Sequence, residues 1–177
     1  MNYGTIKYFD IANGTGIRTS LFVSGCRVHC PLCFNQVTWD FNYGKEFTES
    51  VEEMIINSLE DQFVEGLSIL GGEPFEPENQ RRLVELLRKF RQKYHDKKNI
   101  WMYSGYLFDK DLKPESGRKH TEVTDEIFSM IDILVDGPFI NEQKRLDLNF
   151  RGSSNQRIID MKETLKQGKI VLSPLNN

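Results

Sequence analysis

The apolar positions of this chain change period several times, and each change marks a predicted element. ThrSerLeuPheVal at 19–23 is short and nearly all apolar, which predicts a buried strand ending just before Gly25. From Thr48 the spacing becomes helical. Val51, Met54, Ile55 and Leu59 fall on one face, and Glu49, Glu52 and Glu53 suit the positive end of a helix. LeuSerIleLeu at 67–70 predicts a second strand, stopped by Gly71 and Gly72. Pro77 can then open a long helix carrying a stripe of Leu83, Leu87, Phe90 and Tyr94. AsnIleTrpMetTyr at 99–103 predicts a third strand, and a polar loop at 113–117 precedes a helix over Thr124–Met130. IleAspIleLeuVal at 131–135 and ArgIleIleAsp at 157–160 predict the fourth and fifth strands.

Alternating β and α units with continuously apolar strands favour a parallel sheet covered by helices. Ligands in such folds gather at the carboxyl ends of the strands. Four loops should therefore crowd one rim: the segment after Gly25, GlyGlyGluPro at 71–74, SerGlyTyr at 104–106 and AspGlyPro at 136–138. The 177 residues suit a single domain, 1–177, with no repeat or linker long enough to divide it. With 38% hydrophobic and 28% charged residues the chain has the composition of a globular protein. A net charge of −3 gives no general attraction for nucleic acid or an anionic membrane. The N-terminus lacks a basic segment followed by an apolar one, so a cytoplasmic location without membrane insertion is expected.

The chemistry concentrates in GlyCysArgValHisCysProLeuCysPheAsn at 25–35, which holds every cysteine of the chain: Cys26, Cys30 and Cys33. An odd number of clustered thiols in a reducing compartment indicates metal or redox chemistry rather than disulfides. Thiolates suit zinc or iron–sulfur clusters. Structural zinc normally takes four protein ligands. His29 is the nearest fourth candidate, although its position inside the tight spacer makes closure strained, and a zinc reading stays open beside the cluster reading. A cubane cluster held by three cysteines would leave one iron free for a small molecule.

These residues resemble a family. The C-x3-C-x2-C spacing is similar to that of radical S-adenosylmethionine enzymes. Gly14, Gly16, Ile17, Arg18, Phe22, Gly25 and Asn35 extend the likeness to the glycyl-radical activating enzymes. AspGlyProPheIle at 136–140 and PheArgGlySerSerAsnGlnArgIleIleAsp at 150–160 look like the branch that activates anaerobic ribonucleoside-triphosphate reductase. The resemblance implies an α/β fold of the shortened, open (β/α) partial-barrel type. It implies a [4Fe-4S] cluster on Cys26, Cys30 and Cys33, with S-adenosyl-L-methionine on the fourth iron. Its reductive cleavage would yield a radical that takes hydrogen from a glycine of the reductase, with an electron donor such as a flavodoxin-type protein. An activase of a different glycyl-radical enzyme, or a non-catalytic iron–sulfur or zinc sensor, is the alternative.

The same resemblance implies cofactor contacts from Leu32, Cys33 and Phe34 around the adenine, although family members often carry an aromatic residue where Leu32 stands. It implies that Gly71, Gly72 and Glu73 receive the amino group of S-adenosylmethionine; a plain strand-to-helix turn is the competing reading. Asp136 is a candidate cofactor contact, with Ser104 of similar status; a strand-end aspartate can equally satisfy nearby backbone. Gly14, Gly16 and Arg18 would border the entrance of the partner's glycine loop, or form a turn with a solvated arginine. A phosphate loop is excluded there because a strand follows. Arg151 and Asn155 could hold the partner or the cofactor, or only cap their own loop. The basic run at 81–98 interleaves with the helical stripe and reads as a solvated face. His95 and His120 show no ligand spacing, and Trp39 and Trp101 read as core or rim aromatics.

Overall fold

A computed structural model describes residues 1–176. Its sheet consists of β1 (Asn2–Asp10), β2 (Ile17–Val23), β3 (Lys45–Glu46), β4 (Val64–Gly71), β5 (Asn99–Tyr103), β6 (Ile133–Asp136) and β7 (Arg157–Asp160). The spatial order is β3-β1-β2-β4-β5-β6-β7 in one open sheet. The four central strands β2, β4, β5 and β6 run parallel, as expected, while β1, β3 and β7 pair antiparallel. The helices are α1 (Glu49–Ser58), α2 (Pro77–Tyr94), α3 (Thr124–Met130) and α4 (Met161–Gln167). Among the described residues no helix is long and apolar enough to cross a membrane.

Local chemistry explains the boundaries. The Thr48 side chain accepts the Val51 amide at the start of α1, Pro77 occupies the first turn of α2, and Asp160 accepts the Glu163 amide to start α4. Alternation along the strands separates two faces. Leu21, Leu67, Ile69, Ile100, Met102 and Leu134 join Leu83, Leu87, Phe90 and Phe128 of the helices in the main core. Each such side chain, taken out of water, stabilises the fold by about 1.5–3 kcal/mol. Trp101, Val135 and Ile158 form a smaller cluster, and none of them belongs to the main one.

Several expectations need correction. On α1 the buried pair is Ile55 and Ile56, whereas Met54 is 55% exposed. The fourth strand starts at Ile133, because the Ile131 amide still caps α3 by donating to Ile127. The strand β1, the two-residue β3 and the helix α4 were not anticipated. AsnTyrGlyThrIleLysTyrPheAsp in β1 mixes half-buried and exposed positions and has no clean period. The last strand returns antiparallel: the 137–156 connection carries one short 3₁₀ turn and no α-helix of the kind that usually bridges parallel strands.

Arg18 is the largest correction. It is not a solvated turn arginine but is fully buried. Its guanidinium donates to Ser68 Oγ at 2.7 Å and to the carbonyls of Leu67, Thr15 and Asn99 at 2.9, 3.1 and 3.3 Å. It also lies 5.5 Å from the Trp101 ring centre. Room for it comes from Gly66, where a Cβ would stand 3.0 Å from Arg18 Nη2. Burial lowers the Arg18 pKa to about 10, so the group stays charged at neutral pH.

Candidate functional site

The turns at the carboxyl ends of the parallel strands line one cavity of about 160 Å³. Its walls are Cys26, Cys30 and Cys33 after β2, Gly71–Glu73 after β4, Ser104 and Gly105 after β5, and Gly137 after β6. A larger cavity of about 400 Å³ shares Cys30, Cys33 and Tyr103 and extends to Phe150 and Arg151. All three thiols are free; Cys26 is buried, and Cys30 and Cys33 are half-buried. Burial, reinforced by the nearby Glu73 charge, pushes the Cys26 thiol up to about 11. Burial raises Cys30 as well. Thiols held protonated this way lose their protons to a bound metal, so loading the site is coupled to proton release.

The cysteines share a cavity without converging on a point. Among the described residues no group of three or more His, Cys, Asp or Glu side chains is gathered as a single-ion site. His29 stacks on Trp39 with ring centres 4.4 Å apart.

Glu73 is the buried charge of the site. Its Oε1 accepts the Phe75 amide and the Ser104 hydroxyl, both at 2.9 Å, and its Oε2 accepts the Gly105 amide at 2.7 Å. A carboxylate offers about four acceptor positions, so one remains for a ligand. Burial dominates over these three bonds and pushes the Glu73 carboxyl up to about 7. Ser104 is thereby committed to orienting Glu73. The preceding glycines permit close backbone approach: a Cβ on Gly72 would stand 2.7 Å from the Gly25 carbonyl oxygen, and Gly71 has φ +110°.

The other candidates fall outside this arrangement to different degrees. Asp136 is a correction: Val135 and Gly137 line the cavity and Asp136 does not, because alternation turns it to the opposite side. Its oxygens accept Arg157 Nε at 2.8 Å, Arg157 Nη2 at 2.5 Å and the Phe108 amide at 2.7 Å. Leu32 is 68% exposed with φ +59° and does not line the cavity, whereas Phe34 lies on its rim at 94% exposure. Gly14 and Gly16 have positive φ, and Gly14 packs over Arg18, so this turn covers a buried arginine. Arg151 donates to the Gln156 carbonyl and to Asn176 Oδ1. Asn155 donates to the Pro138 carbonyl at 2.7 Å, and its Oδ1 is buried without a hydrogen bond. The loop capping thus comes largely from Gln156, which accepts the amides of Gly152 and Ser153.

Sequence reasoning missed Arg27, Glu76, Tyr106 and Lys119, which are linked beneath the cysteine loop. No motif marks them. A glutamate just before a helix that opens with proline was the one local hint of a structured turn.

Over residues 12–159 the chain matches the protein family described as a 4Fe-4S single cluster domain. It is 40% identical over 158 residues to the anaerobic ribonucleoside-triphosphate reductase-activating protein of Escherichia coli strain K12, covering 88% of this chain and 96% of that protein. The protein of that name from Vibrio cholerae is 38% identical over 161 residues, covering 89% and 97%. The one from Enterobacteria phage T4 is 32% identical over 158 residues, covering 89% and 93%.

Proposed function

The chain belongs to the family of anaerobic ribonucleoside-triphosphate reductase-activating proteins, and on that footing we propose that it activates such a reductase by radical S-adenosylmethionine chemistry. The observation that carries this reading is the single cavity bounded by three free thiols and by the Gly71–Glu73 turn. We read the open sheet as the shortened (β/α) partial barrel of that superfamily, with the cavity at its carboxyl rim.

The residues fit the group. Cys26, Cys30 and Cys33 would hold three irons of a [4Fe-4S] cluster, since three free thiols line one cavity and thiolate sulfur suits iron–sulfur ligation. When bound, the cluster supplies the electron that cleaves S-adenosylmethionine to methionine and a 5′-deoxyadenosyl radical, which takes a hydrogen atom from a glycine of the reductase. Glu73 accepts the ammonium group of the cofactor through its free acceptor position, held in aim by Ser104 and the Gly105 amide. Gly71 and Gly72 admit the cofactor to backbone groups. Phe34 and the backbone beside it cover the adenine from the rim. The larger cavity reaching Arg151 offers the passage for the partner's glycine segment. A flavodoxin-type donor in the cytoplasm fits the one-electron supply.

Glu73 gives this reading a pH signature. Its carboxyl should titrate near 7 in metal-free protein, read by carbon-13 NMR. The ionised form is the one that accepts an ammonium. Affinity for S-adenosylmethionine should therefore rise with pH through the range in which Glu73 ionises. Glu73→Gln should flatten that profile, and an unchanged slope would remove Glu73 from the binding role.

The test of function is anaerobic. Protein reconstituted with iron and sulfide and then reduced should release 5′-deoxyadenosine and, with the reductase, produce the electron paramagnetic resonance doublet of a glycyl radical. No release with an intact, reduced cluster and the reductase present would overturn the reading in favour of a sensor.

A further inference from the structure

Three strand-end turns and a neighbouring loop meet on a carboxylate that the chemistry above does not use. Glu76, which immediately precedes α2, is fully buried. Its Oε1 accepts the backbone N–H of Arg27 and the Tyr106 hydroxyl, each at 2.8 Å. Its Oε2 accepts the Arg27 guanidinium and the Lys119 ammonium, each at 2.7 Å. Arg27 directly follows Cys26, Tyr106 belongs to the turn after β5, and Lys119 lies in the loop leading to α3. Burial opposes the charge on Glu76, yet the bonds from Lys119, Tyr106 and Arg27 outweigh it and hold the carboxyl below its usual range.

The cysteine loop is consequently held unevenly. Its first half is tied by three consecutive amides: Gly25 donates to the Thr38 carbonyl at 2.8 Å, Cys26 to the Trp39 carbonyl at 3.2 Å, and Arg27 to Glu76. The Arg27 guanidinium also pairs with Glu78 and lies 4.2 Å from the Phe41 ring centre. Phe41 in turn fills the space left by Gly25, where a Cβ would be 2.3 Å from the ring. The second half turns back on itself: His29 and Leu32 have φ +51° and +59°, and the Cys33 amide donates to the Cys30 carbonyl at 3.1 Å.

We propose that Glu76 is a positioning residue for the cysteine site, one that sets Cys26 as the fixed corner before any cluster is loaded and leaves Cys30 and Cys33 as the corners that adjust. This rests on reading the three cysteines as a ligand set. The physical reason for a carboxylate here is that it satisfies a backbone N–H of the loop and neutralises two cations from separate turns at once. Removing it would strand the Lys119 ammonium, which is 13% exposed, without its partner. Groups that orient ligands in this way govern metal retention without touching the metal.

The test compares wild type with Glu76→Ala, Glu76→Gln and the surface control Glu122→Gln. In metal-free protein, iodoacetamide labelling is followed cysteine by cysteine by mass spectrometry. Cys26 should be the slowest thiol in wild type and in the control. Glu76→Ala should speed its labelling by about tenfold or more while Cys30 and Cys33 change little. Glu76→Gln keeps an acceptor for the Arg27 amide and should show a smaller rise, so it serves if the alanine variant folds poorly by circular dichroism. In iron-loaded protein, removal of iron by a chelator should accelerate by about 10–100-fold in Glu76→Ala, with an altered electron paramagnetic resonance spectrum of the reduced cluster. Unchanged Cys26 labelling, or equal acceleration of all three thiols, would overturn the proposal. If wild type takes up no iron, the cluster reading fails, and the labelling pattern still decides the role of Glu76.

Discussion

Replacing Cys26, Cys30 or Cys33 with alanine is expected to cut 5′-deoxyadenosine release by at least about a thousandfold in each case, because the removed group belongs to a unit that works only when complete. The expectation is strong because nothing nearby can substitute. The chain has no fourth cysteine. Glu73 spends three of its acceptor positions on Phe75, Ser104 and Gly105, and the fourth is the one the cofactor's ammonium takes. Bound iron and the absorbance of the reconstituted cluster should fall in parallel with turnover. The three variants should nonetheless keep the circular dichroism of the parent, since the main core lies across the sheet and contains no cysteine. Near-normal release by any one of them would sink the three-cysteine mechanism, whatever the others do.

Gly72→Ala should have the next largest effect, and for a different reason. The Gly72 amide donates to the Val23 carbonyl at 2.7 Å, and the Glu73 amide donates to the Gly25 carbonyl at 2.8 Å. The turn carrying Glu73 and the start of the cysteine loop are thus joined backbone to backbone. A Cβ at Gly72 would lie 2.7 Å from the Gly25 oxygen and 2.9 Å from the Thr38 oxygen, and neither is a flexible side-chain end. One of the two segments must move, and a displacement of that kind costs about a hundredfold in rate when it separates groups that act together. The chain itself should lose about 1–3 kcal/mol of stability from the overpacking, read as a lowered denaturant midpoint. Gly71→Ala adds strain at φ +110° to a contact of 2.7 Å with Val23, and should be destabilised further. Wild-type turnover in Gly72→Ala would show that the two segments need not hold their spacing.

Much of this arrangement was legible before any coordinates. The four central strands could be read because strands buried on both faces are apolar throughout, and their turns could be assigned to one rim because parallel strands share an end. Cys26 to Cys33 and Gly71 to Glu73 were legible because each set is contiguous, so its chemistry is written within a few residues. Other residues carried no such local record. The irregular pattern of β1 concealed a nine-residue strand. Asp136 seemed to offer a carboxylate at a strand end, yet a single step of alternation directs it to Arg157 and away from the cavity.

The division follows the range of the forces involved. Hydrophobic period, glycine turns and the spacing of thiols act over a few positions, so they can be read along the chain. The burial of Arg18 depends on Gly66 and on carbonyls from β4 and β5. The charge of Glu76 is stabilised by Arg27, Tyr106 and Lys119, which lie in three other loops. A buried charge persists only where its partners are assembled around it. That assembly is made by the order that sets β2, β4 and β5 side by side, and no short stretch of sequence contains it.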